Sequence, residues 1–372
     1  LSLSLSLSLS LSLSPTSLGH GALLFPSLSC LFLLSFFFLS CEPEPSPDSL
    51  VDNFGKGTYI LTDNGLSFIK KNTDIVENQV IKNTNGVMIQ DPKNLSIYGS
   101  RLYVVGKDFY ALDINTLELL GHVGGFTNAS ACVIIPQNRA FVSDKDESLV
   151  KLIDLDDYKV TSEIETGENT SPSFIINKYD KSFVLNGGSN QMYDSTLITI
   201  TYKDDLIPLA DFSGNLIIGK NPNSALSTGN IKVLCSGVYD SNNPSNNTES
   251  SFYNIYPTDL LINFSEDLSG IYNAKNLIES SSGNNFYFTA EGGVYRTNTS
   301  VTNINPIISI DADVLNITSE QYAVNDTTNA YSNILYMNDL NNLGKVYKYN
   351  VNLSSFVDTI SVNGNVLDIV FK

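Results

Sequence analysis

The chain repeats itself. From residue 57 onward an apolar strand, usually carrying an aromatic residue, is followed by a polar turn, a second alternating strand and then a third. The first-strand anchors are Tyr59 (TYILTD), Tyr103 (LYVVG), Phe141 (AFVSD), Phe183 (SFVLN), Val233 (KVLCS), Tyr287 (FYFTA) and Tyr336 (LYMND), spaced 44, 38, 42, 50, 54 and 49 residues apart. The second strands are LSFIKK, FYALDIN, LVKLIDLD, TLITITY, DLLINFS, GVYRTN and GKVYKYN. Alternation in KLIDL, ALDIN and VYKYN has the period of two expected of strands with one buried face, and no segment carries a long stripe of period 3.6. A repeat of about 40 to 50 residues made of four short strands is a propeller blade.

Seven units over residues 54–372 therefore predict an all-β fold, a seven-bladed β-propeller. The ends say how the ring closes. The first repeat begins at the second strand of a blade, whereas the chain finishes on an unpartnered apolar strand, VLDIVFK. Val366 to Phe371 would supply the innermost strand of the first blade, beside Tyr59 to Leu61, and remove the edges of an open array. A β-sandwich is the competing architecture. The 19 tyrosines and 19 phenylalanines, among many Asn, Ser, Thr, Asp and Gly, suit many short strands and turns.

Ahead of the repeats lies a different kind of sequence. Residues 1–14 are a strict Leu-Ser repeat, and no methionine precedes Met88, so this stretch reads as translated non-coding repeat. Leu31 to Leu39 (LFLLSFFFL) is too short to span a bilayer as a stable helix but suits the core of a signal peptide. Phe38-Leu39-Ser40-Cys41 resembles a bacterial lipobox, with Phe38 in place of the usual Leu, and makes Cys41 the expected lipidation site. Residues 42–53 form a Pro-rich acidic tether. The expected organisation is thus 1–41 leader, 42–53 tether and 54–372 propeller. The alternative for Cys41 is a secreted protein cleaved nearby.

Charge and composition narrow the chemistry. The formal charge is −18, and without a basic patch such a surface repels nucleic acid. Of two histidines, His20 lies in the leader and His122 stands alone in LGHVGG, so a multi-histidine metal centre is excluded. No nucleophile elbow surrounds any serine. Asp144, Asp146 and Glu147 in SDKDES alternate loosely like a calcium loop but lack its glycine and terminal glutamate, and read as a solvated turn. Asp154, Asp156 and Asp157 form a second acidic group. Gly124-Gly125 and Gly187-Gly188 open no helix and read as turns. Cys132 and Cys235 sit in apolar runs of different repeats and read as small buried hydrophobes. The expectation is no enzyme, no metal and no cofactor.

Two stretches carry a resemblance. Ile218-Gly219-Lys220-Asn221-Pro222-Asn223-Ser224 with Lys232-Val233-Leu234-Cys235-Ser236-Gly237 resembles a repeat of the YncE-like propeller lipoproteins of Gram-negative anaerobes. So does the closing run Ile334 to Asp339, Gly344 to Tyr349 and Asp358 to Ile360. The likeness covers nearly all of residues 54–372. It implies a lipid-anchored protein of the cell envelope, on the outer membrane, facing either the periplasm or the cell surface. One branch of that family captures vitamin B12 and hands it to a TonB-dependent outer-membrane transporter; no residue here assigns the chain to that branch.

Function in a propeller falls to loops on one face. Two loop sets are expected there. Val123–Ser130, Thr166–Ser173 and Gly219–Ser224 lead into inner strands. Ser143–Ser148, Asn186–Ser195, Ser236–Ser251 and Asn338–Gly344 join second and third strands. The longest, NGGSNQMYDS and SGVYDSNNPSNNTESSFY, carry Tyr193 and Tyr239 among amides, a mixture suited to adaptable binding. The candidate ligand-binding residues are Phe126 (as an exposed ring), Asn128, Asn169, Tyr193, Asn221, Asn223, Tyr239 and Asn338. The expected partner is a small polar ligand or nutrient, a corrinoid among them, presented to an outer-membrane transporter. A protein-binding scaffold or adhesin, and a propeller lyase using carboxylates, are the other readings.

Overall fold

The computed structural model describes residues 54–187, 193–202, 209–325 and 328–372, with the side chains of 209–214 and 321–330 excepted. Residues 1–53, and with them the lipobox, Cys41 and the tether, lie outside the described residues, as does Gly188. Seven four-stranded antiparallel sheets follow one another, each built from consecutive strands except the first. That sheet takes its innermost strand, Val366–Phe371, from the end of the chain. The register pairs Thr58 with Phe371, Tyr59 with Val370, Ile60 with Ile369 and Leu61 with Asp368. The seven-bladed propeller closed by its C-terminal strand is the observed fold.

The alternation read from the sequence is the cause of this arrangement. All seven anchors lie on the second strand of their blades and are at most 3% exposed. Each meets the apolar face of a neighbouring blade, so the core is distributed over the seams rather than gathered at one centre. Tyr59 and Phe68 of blade one pack with Leu95, Leu102 and Leu112 of blade two. Six further clusters fill the other seams, the last joining Tyr336 and Val346 of blade seven to Ile60, Val366 and Ile369 of blade one. Burying a ring or branched side chain is worth about 1.5–3 kcal/mol, which is why so regular a series of single anchors suffices to set the blades.

Polar side chains near the innermost strands tie each blade to the next. Ser130 Oγ donates to Pro172 O at 3.0 Å, Ser173 Oγ to Pro222 O at 2.9 Å, and Asn177 Nδ2 to Ile134 O at 2.7 Å. Ser224 Oγ accepts the N–H of Leu277 at 3.1 Å, Asn276 Nδ2 donates to Asp313 O at 2.7 Å, and Asn316 Nδ2 to Ile369 O at 2.6 Å. Where a third strand ends in Asp or Asn, the reason is local. Asp113, Asp154 and Asn350 each accept two backbone N–H groups of the following turn, so the acidic group at 154–157 is in part an Asx turn.

Two expectations need correcting. In blade five the third strand is Ser251–Ile255 and not DLLINFS, which supplies the exposed outer strand Ile262–Asp267. In SDKDES, Asp144 is fully buried; only Asp146 and Glu147 face solvent. Between blades one and two a short helix, Val80–Asn85, buries Val80 and Ile81 in the first seam and stops at Gly86, whose φ of 68° only glycine adopts at little cost. Among the described residues no helix is long and apolar enough to cross a membrane. Cys132 and Cys235 are free and buried in separate blades, as expected.

Candidate functional site

Strand order places both expected loop sets on one face, because the chain enters each inner strand and leaves each second strand at the same end. All eight candidate residues belong to that face. They are carried on loops of blades three, four, five and seven.

Blades four and five hold the densest group. Asn221 N donates to Asp194 O at 2.9 Å, and Gly237 N donates to Lys220 O at 3.0 Å, so the loops carrying Tyr193 and Tyr239 flank the same short turn. Tyr193 is 46% exposed and Tyr239 43%. The Tyr239 ring lies 6.0 Å from that of Tyr272, tilted by 40°, a spacing at which aromatic pairs attract. Sequence reading missed Tyr272, which stands alone in a short connection without an aromatic pattern. The 236–250 loop is ordered by its own bonds: Val238 pairs with Thr248, and Asp240 N donates to Asn247 Oδ1 at 2.7 Å.

The amides below this platform are committed to structure. Asn221, at φ 53°, donates Nδ2 to Gly237 O at 2.7 Å. Asn223 Nδ2 donates to Ala274 O at 2.9 Å and to Ser236 Oγ, while its buried Oδ1 has no partner among the described residues. Gly219 is required by close approach, since a Cβ there would meet Ser251 Oγ at 2.1 Å and Cys235 Cβ at 2.9 Å. The two most distinctive sequence stretches, KNPNS and LCSG, are thus two sides of one packed turn.

Around blades two and three the expectation for Phe126 fails. Its ring is 9% exposed and packed in the second seam, with the ammonium of Lys151 5.2 Å from its centre. Lys151 is itself buried and pairs with Asp144 at 3.2 Å and Glu147 at 2.8 Å. That ammonium, first among its neighbours, holds the Glu147 carboxyl below the usual range. Asp144 accepts the N–H groups of Thr127 and Asn128 at 2.9 and 2.8 Å, which folds the loop back over Phe126. Asn128 is bound on both sides, donating to Asp146 and accepting from Lys93. Nearby, burial lowers the Lys145 ammonium's pKa, with Lys93 acting in the same direction. Asn169 is exposed in a turn at φ 56°.

At blade seven, Asn338 is 5% exposed and staples a loop. Its Oδ1 accepts the N–H groups of Asp313 and Val314, and its Nδ2 donates to Asp313 Oδ1 at 2.6 Å. Beside it opens a cavity of about 230 Å³ lined by Asp313, Asp339, Leu340, Leu343, Lys345 and Leu367, among others. Of the eight candidates only Asn338 touches this cavity.

No family model matches the chain, and no curated protein does. Solved structures do. A protein from Lactobacillus plantarum superposes with a TM-score of 0.60 at 11% identity, over 85% of this chain and 99% of its own. A functionally unknown protein from Desulfotomaculum acetoxidans gives 0.61 at 12%, over 84% and 98%. A quinonprotein alcohol dehydrogenase-like protein from Bacteroides thetaiotaomicron gives 0.58 at 17%, over 86% and 78%. At such identities the likeness is one of fold, that of seven-bladed propellers.

Proposed function

We propose that this chain is a non-enzymatic capture module of the cell envelope, holding a small polar ligand on its loop face. The observation that carries the reading is the exposed tyrosine group of blades four and five. Tyr193 and Tyr239 are exposed and Tyr272 is half-buried beside Tyr239; Asp194 O, Gly237 O and Ala274 O are held by Asn221 and Asn223, and the 238–248 bridge closes the Tyr239 loop, so the rings stand on bonded backbone. Rigid rings supply contact area at little entropic cost. A nutrient with a planar or hydroxyl-rich face, a corrinoid included, suits them, and an outer-membrane transporter is its proposed recipient. Cys41 is the proposed lipid anchor, displayed on the outer membrane.

Calorimetry with cyanocobalamin and a panel of mono- and disaccharides tests the site. Tyr193→Ala with Tyr239→Ala is expected to weaken whichever probe binds by at least tenfold, about 1.4 kcal/mol. A dissociation constant unchanged by the double variant overturns this placement. Mass spectrometry of the mature N-terminus checks the anchor, with a diacylglyceryl Cys41 expected and an unmodified start elsewhere refuting it.

A further inference from the structure

The cavity beside Asn338 has chemistry of its own. It lies where blade seven's 339–344 loop faces Asn365, Val366 and Leu367, the approach and first turn of the closing strand. Its charged groups are only partly used by their own loops. Asp339 Oδ1 accepts the N–H of Asn341 at 2.9 Å, and Asp313 Oδ1 accepts from Asn338 Nδ2 at 2.6 Å. Each carboxylate keeps its second oxygen unengaged among the described residues. Lys345 Nζ gives one proton to Ser361 Oγ at 2.6 Å and retains two. The same walls carry Leu340 and Leu343, which are 41% and 63% exposed, and the half-buried Leu367.

Two carboxylates, one ammonium and an aliphatic wall define a complement. A simple amine would satisfy Asp313 and Asp339 but leave Lys345 unused. A simple carboxylic acid would meet Lys345 and be repelled by the two aspartates and by the chain's −18 charge. A molecule with both groups and an apolar tail uses every wall. At about 230 Å³ the space falls below the roughly 300–1,000 Å³ typical of drug-sized ligands, which selects a small metabolite. We propose that this seam cavity binds a free zwitterionic α-amino acid with an aliphatic side chain. Its ammonium meets Asp313 and Asp339, its carboxylate meets Lys345, and its side chain covers Leu340, Leu343 and Leu367. This is a second place on the loop face and shares no residue with the tyrosine group.

Because the cavity joins blade seven's loop to the closing strand, occupancy clamps the ring shut. Binding is therefore read out as resistance to unfolding. Thermal unfolding of the mature chain is followed with about 10 mM L-leucine, 4-methylpentanoate or isoamylamine. L-Leucine is expected to raise the midpoint by about 2 °C or more, and the two compounds lacking one charged group are expected to leave it unmoved. Asp339→Asn, which keeps an acceptor for Asn341, and Lys345→Gln should melt like the wild type alone yet lose the shift. The Tyr193→Ala, Tyr239→Ala variant should keep it, which separates this site from the platform. No shift with L-leucine, or the same shift in both cavity variants, overturns the proposal. An equal shift with isoamylamine also overturns it, in favour of a plain cation site.

Discussion

The carboxylate of Asp368, on the closing strand, accepts the backbone N–H of Leu95 at 2.7 Å and so joins the inner strands of blades one and two. Asn94 Nδ2 adds a second bond at 2.9 Å. Crowding by the surrounding strands outweighs these donors and pushes the Asp368 carboxyl up to about 6.

A pH dependence with an unusual sign for an acid follows. The folded state holds this proton more tightly than the unfolded chain, so its stabilising contribution is complete below about pH 4. It is lost as pH rises through about 6. Asp368→Asn should remove this slope, so that the stability difference between variant and wild type changes by up to roughly 3 kcal/mol between pH 4 and 7. Urea unfolding at pH 4, 5.5 and 7 measures it; parallel curves for the two proteins would refute it.

Removing residues 365–372 should abolish cooperative unfolding. The strand lost carries Val366 and Ile369, both buried in the last seam, and leaves the inner edge of Gly57–Thr62 unpaired. A truncated chain that melts in one transition near the wild-type temperature would contradict this.

The buried pair at blade three should show strong coupling. Asp144→Ala leaves the buried Lys151 ammonium with Glu147 and Gly125 O and frees two loop N–H groups. The expected cost is about 3–5 kcal/mol. Adding Lys151→Met should recover part of it, since the buried ammonium that has lost its one fully buried counter-charge is gone. A double-mutant cycle by denaturant unfolding decides, and strict additivity would argue against the pair.

Neither Cys132 nor Cys235 should react in the folded protein. Burial raises both thiols to about 12, and both side chains are at most 8% exposed. A thiol reagent such as dithionitrobenzoate should find Cys132 and Cys235 only after denaturant is added; rapid labelling at either position in the native chain would refute the packing.

The ring and its closure were legible because burial imposes a period of two, and each blade repeats it around one anchor. Blade five defeated that reading for a physical reason. Its third strand, SFYNI, follows the long 236–250 insertion and is only five residues, whereas DLLINFS is more apolar yet lies outermost, with Ile262 40% exposed. The site was less legible. Asn128, Asn221 and Asn338 read as free amides on loops, but Asn221 and Asn338 hold loop backbones and Asn128 is taken up by the side chains of Lys93 and Asp146. Residue type shows that a side chain can hydrogen-bond; only the fold shows which partner it already has. Phe126 failed likewise, because its loop is folded inward by Asp144 fifteen or more residues away in the sequence.

The pairing of Thr62 with Val366 also has a consequence in time. The first strand to leave the ribosome waits for the last, and the six seams between can assemble before the seventh has its final strand. Until the closing residues emerge, the chain has two unpaired sheet edges and no locked ring.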